Sequence, residues 1–206
     1  LDGSFHVEGP LGKRTTLLVT GRRSFVGEVT KAALESSGDI RLQIAPYYWD
    51  VVGRVDHGTG TDHHLFLTAF AAQDRLEMIV PDERAGSPEV NEAVDAIAMD
   101  LRFSRFILGY DARLGAKVRN ELRLAAGRTA ESGHFFGTIN FDGHGPLYNV
   151  RDELSVLARP WLTATAGLDF LWTPYVYDVT VAGWPQSLQD QRFGDRGLYA
   201  SLDLRP

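Results

Sequence analysis

The chain contains no cysteine, which removes disulfide frameworks and thiolate metal sites together. It has no run approaching the ~20 apolar residues of a membrane-crossing helix. Basic residues are not in excess. Lys and Arg number 21 against 27 Asp and Glu, a net charge of −6 that argues against a nucleic-acid partner. What is present is 206 residues, 44% hydrophobic and 23% charged, enough for one sizeable domain. That bulk composition suits a soluble protein, but it does not exclude a membrane barrel. A barrel strand spends only every second residue on lipid, so its mean hydropathy stays low.

The most regular stretch is 147–181, where two alternating runs flank a break at Pro160, Trp161 and Leu162. In the first, Leu154, Val156 and Ala158 share one face, and Arg151, Glu153, Ser155 and Arg159 the other. In the second, Ala164, Ala166, Leu168, Phe170 and Trp172 oppose Thr163, Thr165, Asp169 and Thr173. Period-two alternation predicts strands with one apolar and one polar face. Further strands are expected over 2–9, 15–23, 43–56, 63–77, 100–114, 120–128 and from 196 onward. Trp49, Val51, Gly53 and Val55 face away from Asp50, Arg54 and Asp56. In 63–77 the pattern blurs, with Phe66 and Phe70 on one face and Leu65 and Leu67 on the other. A turn at Ala116, Lys117 and Val118 would set Arg113 opposite Glu121 and Asp111 opposite Arg123, a favourable pairing of charges.

The connections alternate in length. Short turns fall near 10–13, 57–62, 115–118 and 160–162, and long ones at 24–42, 78–99, 129–146 and 182–195. Short helices are expected in two of the long ones. Val29, Ala33 and Leu34 suit the first; Ser87 as N-cap, Pro88, and Val90, Val94 and Ile97 suit the second. An up-and-down meander puts all short turns on one edge, as in outer-membrane barrels with short periplasmic turns and long outer loops. The aromatics agree. Trp161 sits on a short turn, and Trp172 follows eleven residues later, roughly 25 Å of climb for a strand tilted by ~45°. Trp49, Trp161, Trp172, Tyr175 and Tyr177 are therefore expected at the rims of an apolar band. The fold class expected is all-β: an antiparallel up-and-down meander of about nine strands, part of a transmembrane β-barrel.

The segments Glu8-Gly9-Pro10-Leu11-Gly12, Gly21-Arg22-Arg23-Ser24 and Ala45-Pro46-Tyr47-Tyr48-Trp49-Asp50 resemble TonB-dependent outer-membrane receptors. Arg151-Asp152-Glu153-Leu154 and Gly167-Leu168-Asp169 resemble further barrel strands of that family. The resemblance implies a barrel of about 22 strands closed by an N-terminal plug, with uptake driven when TonB pulls on the plug. With about nine strands and no plug or TonB box, this chain resembles an internal piece of such a barrel, residues 1–206 forming a single barrel portion. The implied partners are outer-membrane lipid, a scarce small-molecule ligand such as a metal chelate, and the TonB system. The implied location is the bacterial outer membrane. Ligand-binding residues are expected at Tyr47, Tyr48 and Asp50 near the outer rim, and at Arg151, Glu153 and Asp169 in the lumen.

Other chemistry finds little support. His57, His63 and His64 flank one turn, and His134 and His144 share one connection, without metal-ligand spacing. Ser155 has no evident base, and the Glu153 and Asp169 pair reads as a charged wall beside Arg151 and Arg159 rather than as an acid and base. The glycines of 133–145 do not match a phosphate loop. No catalytic residue, metal or cofactor is expected. Two alternatives stand: a soluble all-β ligand-binding barrel, with Leu168, Phe170 and Trp172 facing an interior, and a small closed outer-membrane barrel acting as adhesin or enzyme.

Overall fold

Alternation along nearly the whole chain produces a single antiparallel sheet. The computed structural model describes residues 1–29, 43–44, 46–80, 95–182, 184 and 189–204. Its strands are β1 (Asp2–Pro10), β2 (Thr15–Ser24), β3 (Gln43–Ile44), β4 (Tyr47–Gly58), β5 (His63–Val80), β6 (Asp95–Leu114), β7 (Val118–Phe135), β8 (Ile139–Arg159), β9 (Leu162–Val181) and β10 (Gln189–Leu204). Nine of them pair strictly with their neighbours in sequence, and the two-residue β3 adds to β5 off this path. The expected nine-strand meander is thus present. Among the described residues β1 and β10 are not paired with each other, so the sheet is open.

The register carries the tilt of a barrel. One row of cross-strand partners runs Thr15, His57, Leu65, Tyr110, Leu122, Asp152, Leu168 and Leu198. Thr15 is the first residue of β2 after its turn, whereas Leu168 is the seventh of β9, six strands across. The row therefore climbs about one residue per strand. A rise of ~3.3 Å against a strand spacing of ~4.8 Å is a tilt of roughly 35°, within the range that barrel closure demands.

Each face has its own chemistry. One carries Leu17, Val19, Val51, Val55, Leu65, Leu67, Phe106, Leu108, Leu124, Val150, Leu168 and Trp172. The other carries Arg22, Asp50, Arg54, Asp56, Asp111, Arg123, Arg151, Glu153 and Asp169. Many large residues of the apolar face are exposed, and among the described residues only Phe66 and Ala112 are buried hydrophobics. On β6 the apolar stripe runs from Leu114 to Phe106 and ends at Arg102 and Asp100. Its margin is tied laterally: Trp49 Nε1 donates to Gln73 Oε1 (3.0 Å), Gln73 Nε2 to Asp100 Oδ2 (2.8 Å), and Arg102 binds the same carboxylate.

Several local expectations are corrected. The β6–β7 turn is Gly115–Ala116–Lys117, one residue earlier than expected, because Gly115 accepts a φ of +71°. Arg113 then faces Arg119 and Asp111 faces Glu121, and the attraction runs diagonally, with Arg123 Nη2 2.6 Å from Asp111 Oδ1. The 129–146 segment is not a loop. β7 and β8 continue through it to a tight turn at 136–138, where Phe136 (φ 51°) and Gly137 (φ 64°) are both left-handed and Thr138 N donates to Phe135 O. Long connections thus hold at three of four positions on that edge, and the fourth is replaced by long strands. β10 starts at Gln189, so the last connection is shorter than expected. Residues 26–29 form one helical turn that includes Val29, whereas Ala33 and Leu34 lie outside the described residues. The second expected helix, with Ser87, Pro88, Val90 and Val94, also lies outside them, while Ile97 is a strand residue paired with Met78 and Phe135.

Candidate functional site

The charged face is the one able to recognise a polar ligand. Strand alternation places its residues at every second position, and the register brings ions from neighbouring strands together. At its centre lies an arrangement that the sequence did not announce. The Phe66 ring, 8% exposed, is held between two guanidiniums, Arg54 Cζ at 3.9 Å and Arg123 Cζ at 4.9 Å from its centroid. Below it is Gly109, where any Cβ would overlap the ring. Each cation has its own acid: Arg54 Nη2 lies 2.7 Å from Asp56 Oδ1, and Arg123 contacts both Asp111 and Glu121. His64 bridges Asp56 (2.8 Å) and Asp111 (3.4 Å). The blurred alternation in 63–77 was the sequence trace of this feature: Leu65 and Leu67 continue the apolar face, and Phe66 and Phe70 lie on the charged one.

The wall continues across β8, β9 and β10. Arg151 and Glu153 come together as expected, with Nη2 3.4 Å from Oε2. Tyr199 closes the group, its hydroxyl donating to Glu153 Oε2 at 2.6 Å while Arg151 lies over its ring. Its ring occupies the space above Gly167. Asp169 is the cross-strand partner of Arg151, yet its hydrogen bond comes from Asn149 Nδ2 at 2.7 Å. Glu153 and Asp169 thus share a face but have separate partners. Ser155 hydrogen-bonds Thr165 (2.9 Å) and no histidine.

At the opposite end of the strands the expected rim residues divide. Tyr48 and Asp50 lie on the charged face with Arg22, whose Nε donates to Asp50 Oδ2 (2.8 Å) and whose Cζ is 5.2 Å from the Tyr48 ring. Tyr47 lies on the other face, under Arg23. Of the aromatics expected at the apolar band, Trp49 and Trp172 lie on the apolar face, the latter stacked on Tyr148, and Trp161 is exposed on the β8–β9 turn. Tyr175 and Tyr177 are corrected. Odd parity in β9 turns them to the charged face, where Tyr177 stacks on Phe141 and Phe141 on Phe135.

The histidines do not converge. His57 bonds Thr15 and His63 stacks on Tyr110, both on the apolar face, whereas His64 is on the charged one. His134 pairs with Asn140 in β8, not with His144. No group of three or more His, Cys, Asp or Glu side chains placed to hold a metal ion occurs among the described residues. The charged face is suited to holding a small ligand by ion pairing, hydrogen bonding and aromatic contact.

Solved structures place this architecture. The copper transporter OprC superposes on 98% of the chain with a TM-score of 0.59 at 11% identity. The ferric yersiniabactin uptake receptor FyuA of Yersinia pestis superposes on 98% with a TM-score of 0.51 at 10% identity. At such identities the likeness is one of fold. The chain spans about a third of each of these proteins, 33% and 34% of their length. No family model and no curated sequence matches the chain.

Proposed function

We propose that this chain is part of an outer-membrane receptor for TonB-coupled uptake of a scarce small ligand. The observation that carries the reading is the pairing of a barrel-like stagger with a sheet that has one apolar and one charged face and, among the described residues, hardly any core of its own. A soluble sheet must cover its apolar face with a second layer. A membrane barrel turns that face to lipid and keeps polar groups inside. The β6 stripe from Leu114 to Phe106, tilted by ~35°, spans roughly 22 Å, close to the height of a barrel's apolar band. Uptake is supported by the motif resemblance to TonB-dependent receptors and by two structural neighbours that are a transporter and an uptake receptor. The open edges of β1 and β10 would pair with further strands, as lipid requires.

On this reading the protein binds and passes its ligand without covalent chemistry. Long connections and the charged wall select it, and force on a plug releases it. The test is accumulation of labelled metal chelates in cells lacking the gene. Loss of one chelate, reproduced by depleting TonB and restored by the intact gene, is expected. Accumulation unchanged for every scarce ligand tried overturns the proposal. Deleting residues 81–94 should abolish uptake while the protein still resists unfolding in cold SDS.

A further inference from the structure

We infer that the ligand taken at the loop end of the charged face is an organic cation with an apolar body; the inference rests on the receptor reading above. A cavity of about 380 Å³ opens there, between β4 and β8. That volume suits a small organic molecule. Its apolar wall is made by Leu76, Met99, Leu101 and Phe141, and the first three are exposed although they point to the polar side of the sheet. Exposed apolar side chains on a water-lined face have no structural task as they stand, and a bound apolar group would cover them.

The charge around this wall is one-sided. Asp74 and Glu131 both line the cavity, and neither has a cationic partner among the described residues. Three nearby cations are already neutralised: Arg75 by Glu77 at 3.0 Å, Arg102 by Asp100 at 2.8 Å, and Arg22 by Asp50 at 2.8 Å. Two carboxylates therefore remain to face whatever enters. Tyr48 borders the cavity, and Tyr175 and Tyr177 lie beside Glu131, offering ring faces that attract a cation. The Tyr175 hydroxyl is buried next to the same carboxylate. An anionic ligand at this wall would meet Asp74 and Glu131 directly, while Arg105, a cation of the same face held among the described residues only by Ser104 O, lies four residues further along β6 from Leu101.

The experiment is direct binding to the intact protein in a non-ionic detergent, read by saturation-transfer NMR with two probes of similar shape, phenethylammonium and 3-phenylpropionate. The ammonium probe should bind at least tenfold more tightly, and Asp74→Asn and Glu131→Gln should each weaken it several-fold, the pair removing the preference. Leu101→Trp, which fills the cavity, should abolish binding of both probes. Cold-SDS mobility confirms that each variant is folded. Equal binding of the two probes, preference for the carboxylate, or ammonium binding unaffected by Leu101→Trp overturns the inference. The readout needs no transport: selective binding by a protein whose loss leaves uptake intact would overturn only the receptor reading.

Discussion

Gly109→Ala is the sharpest test of how the charged face is assembled. The added Cβ would collide with the tip of Phe66. A clash with the far end of a side chain is usually relieved by a small swing. Here the ring has no free direction, because Arg54 and Arg123 lie against it. Displacing it gives up two cation–π contacts, each ~0.5–2 kcal/mol. It also re-exposes part of a ring whose burial is worth ~1.5–3 kcal/mol. The expected loss of stability is about 2–4 kcal/mol. In a Phe66→Ala background the obstacle is gone, and Gly109→Ala should then cost nothing or gain about 0.5 kcal/mol from the strand preference of alanine over glycine. The two changes are therefore coupled by about 2 kcal/mol or more. Urea unfolding of the intact protein from lipid vesicles, followed by tryptophan emission, measures the cycle. Additivity within about 0.5 kcal/mol would refute the packing described.

Three further substitutions probe other links. Asp152 lies on the apolar face with Asn120 Nδ2 at 2.7 Å, so Asp152→Asn, which keeps the bond and removes the charge, should stabilise the protein in lipid by about 1 kcal/mol; a loss of stability would mean that this face does not meet hydrocarbon. Phe136→Asn should gain about 1 kcal/mol by relieving a left-handed phenylalanine, visible as a higher urea midpoint, and no gain would place the turn elsewhere. Tyr199→Phe should cost about 1 kcal/mol, and nothing in a Glu153→Gln background if the hydroxyl acts through that carboxylate.

Much of the fold was legible because alternation is a local property. Trp49, Val51 and Val55 against Asp50, Arg54 and Asp56 fixes the two faces of β4 without knowledge of any neighbour. Register is not local. Whether the β6–β7 turn begins at Gly115 or Ala116 turned on one backbone angle, and it changed every charge pair across that hairpin. The site was legible in part for the same reason. Arg151 and Glu153 are two residues apart on one strand and meet without help, whereas Tyr199 reaches Glu153 from 46 positions away.

The segment 129–146 shows why glycine misled. Glycines at 133, 137, 143 and 145 suggested a loop, and only Gly137 sits in a turn. The others lie in strands, opposite rings: Gly133 beneath Phe141, and Gly143 and Gly145 beneath Tyr175. Gly109 beneath Phe66 and Gly167 beneath Tyr199 repeat the arrangement. All five stand on the charged face, where long strands carry large aromatic and guanidinium groups that must lie flat against the sheet. On the apolar face the arrangement recurs at Gly21, beneath Phe5, whereas Gly53 has open space above it. The five strand glycines of the charged face thus report a neighbouring ring, not a break in the strand. Tyr175 and Tyr177, expected beside Trp172 at the rim, fall on this face by the parity of β9, and Gly143 and Gly145 leave room there for their rings.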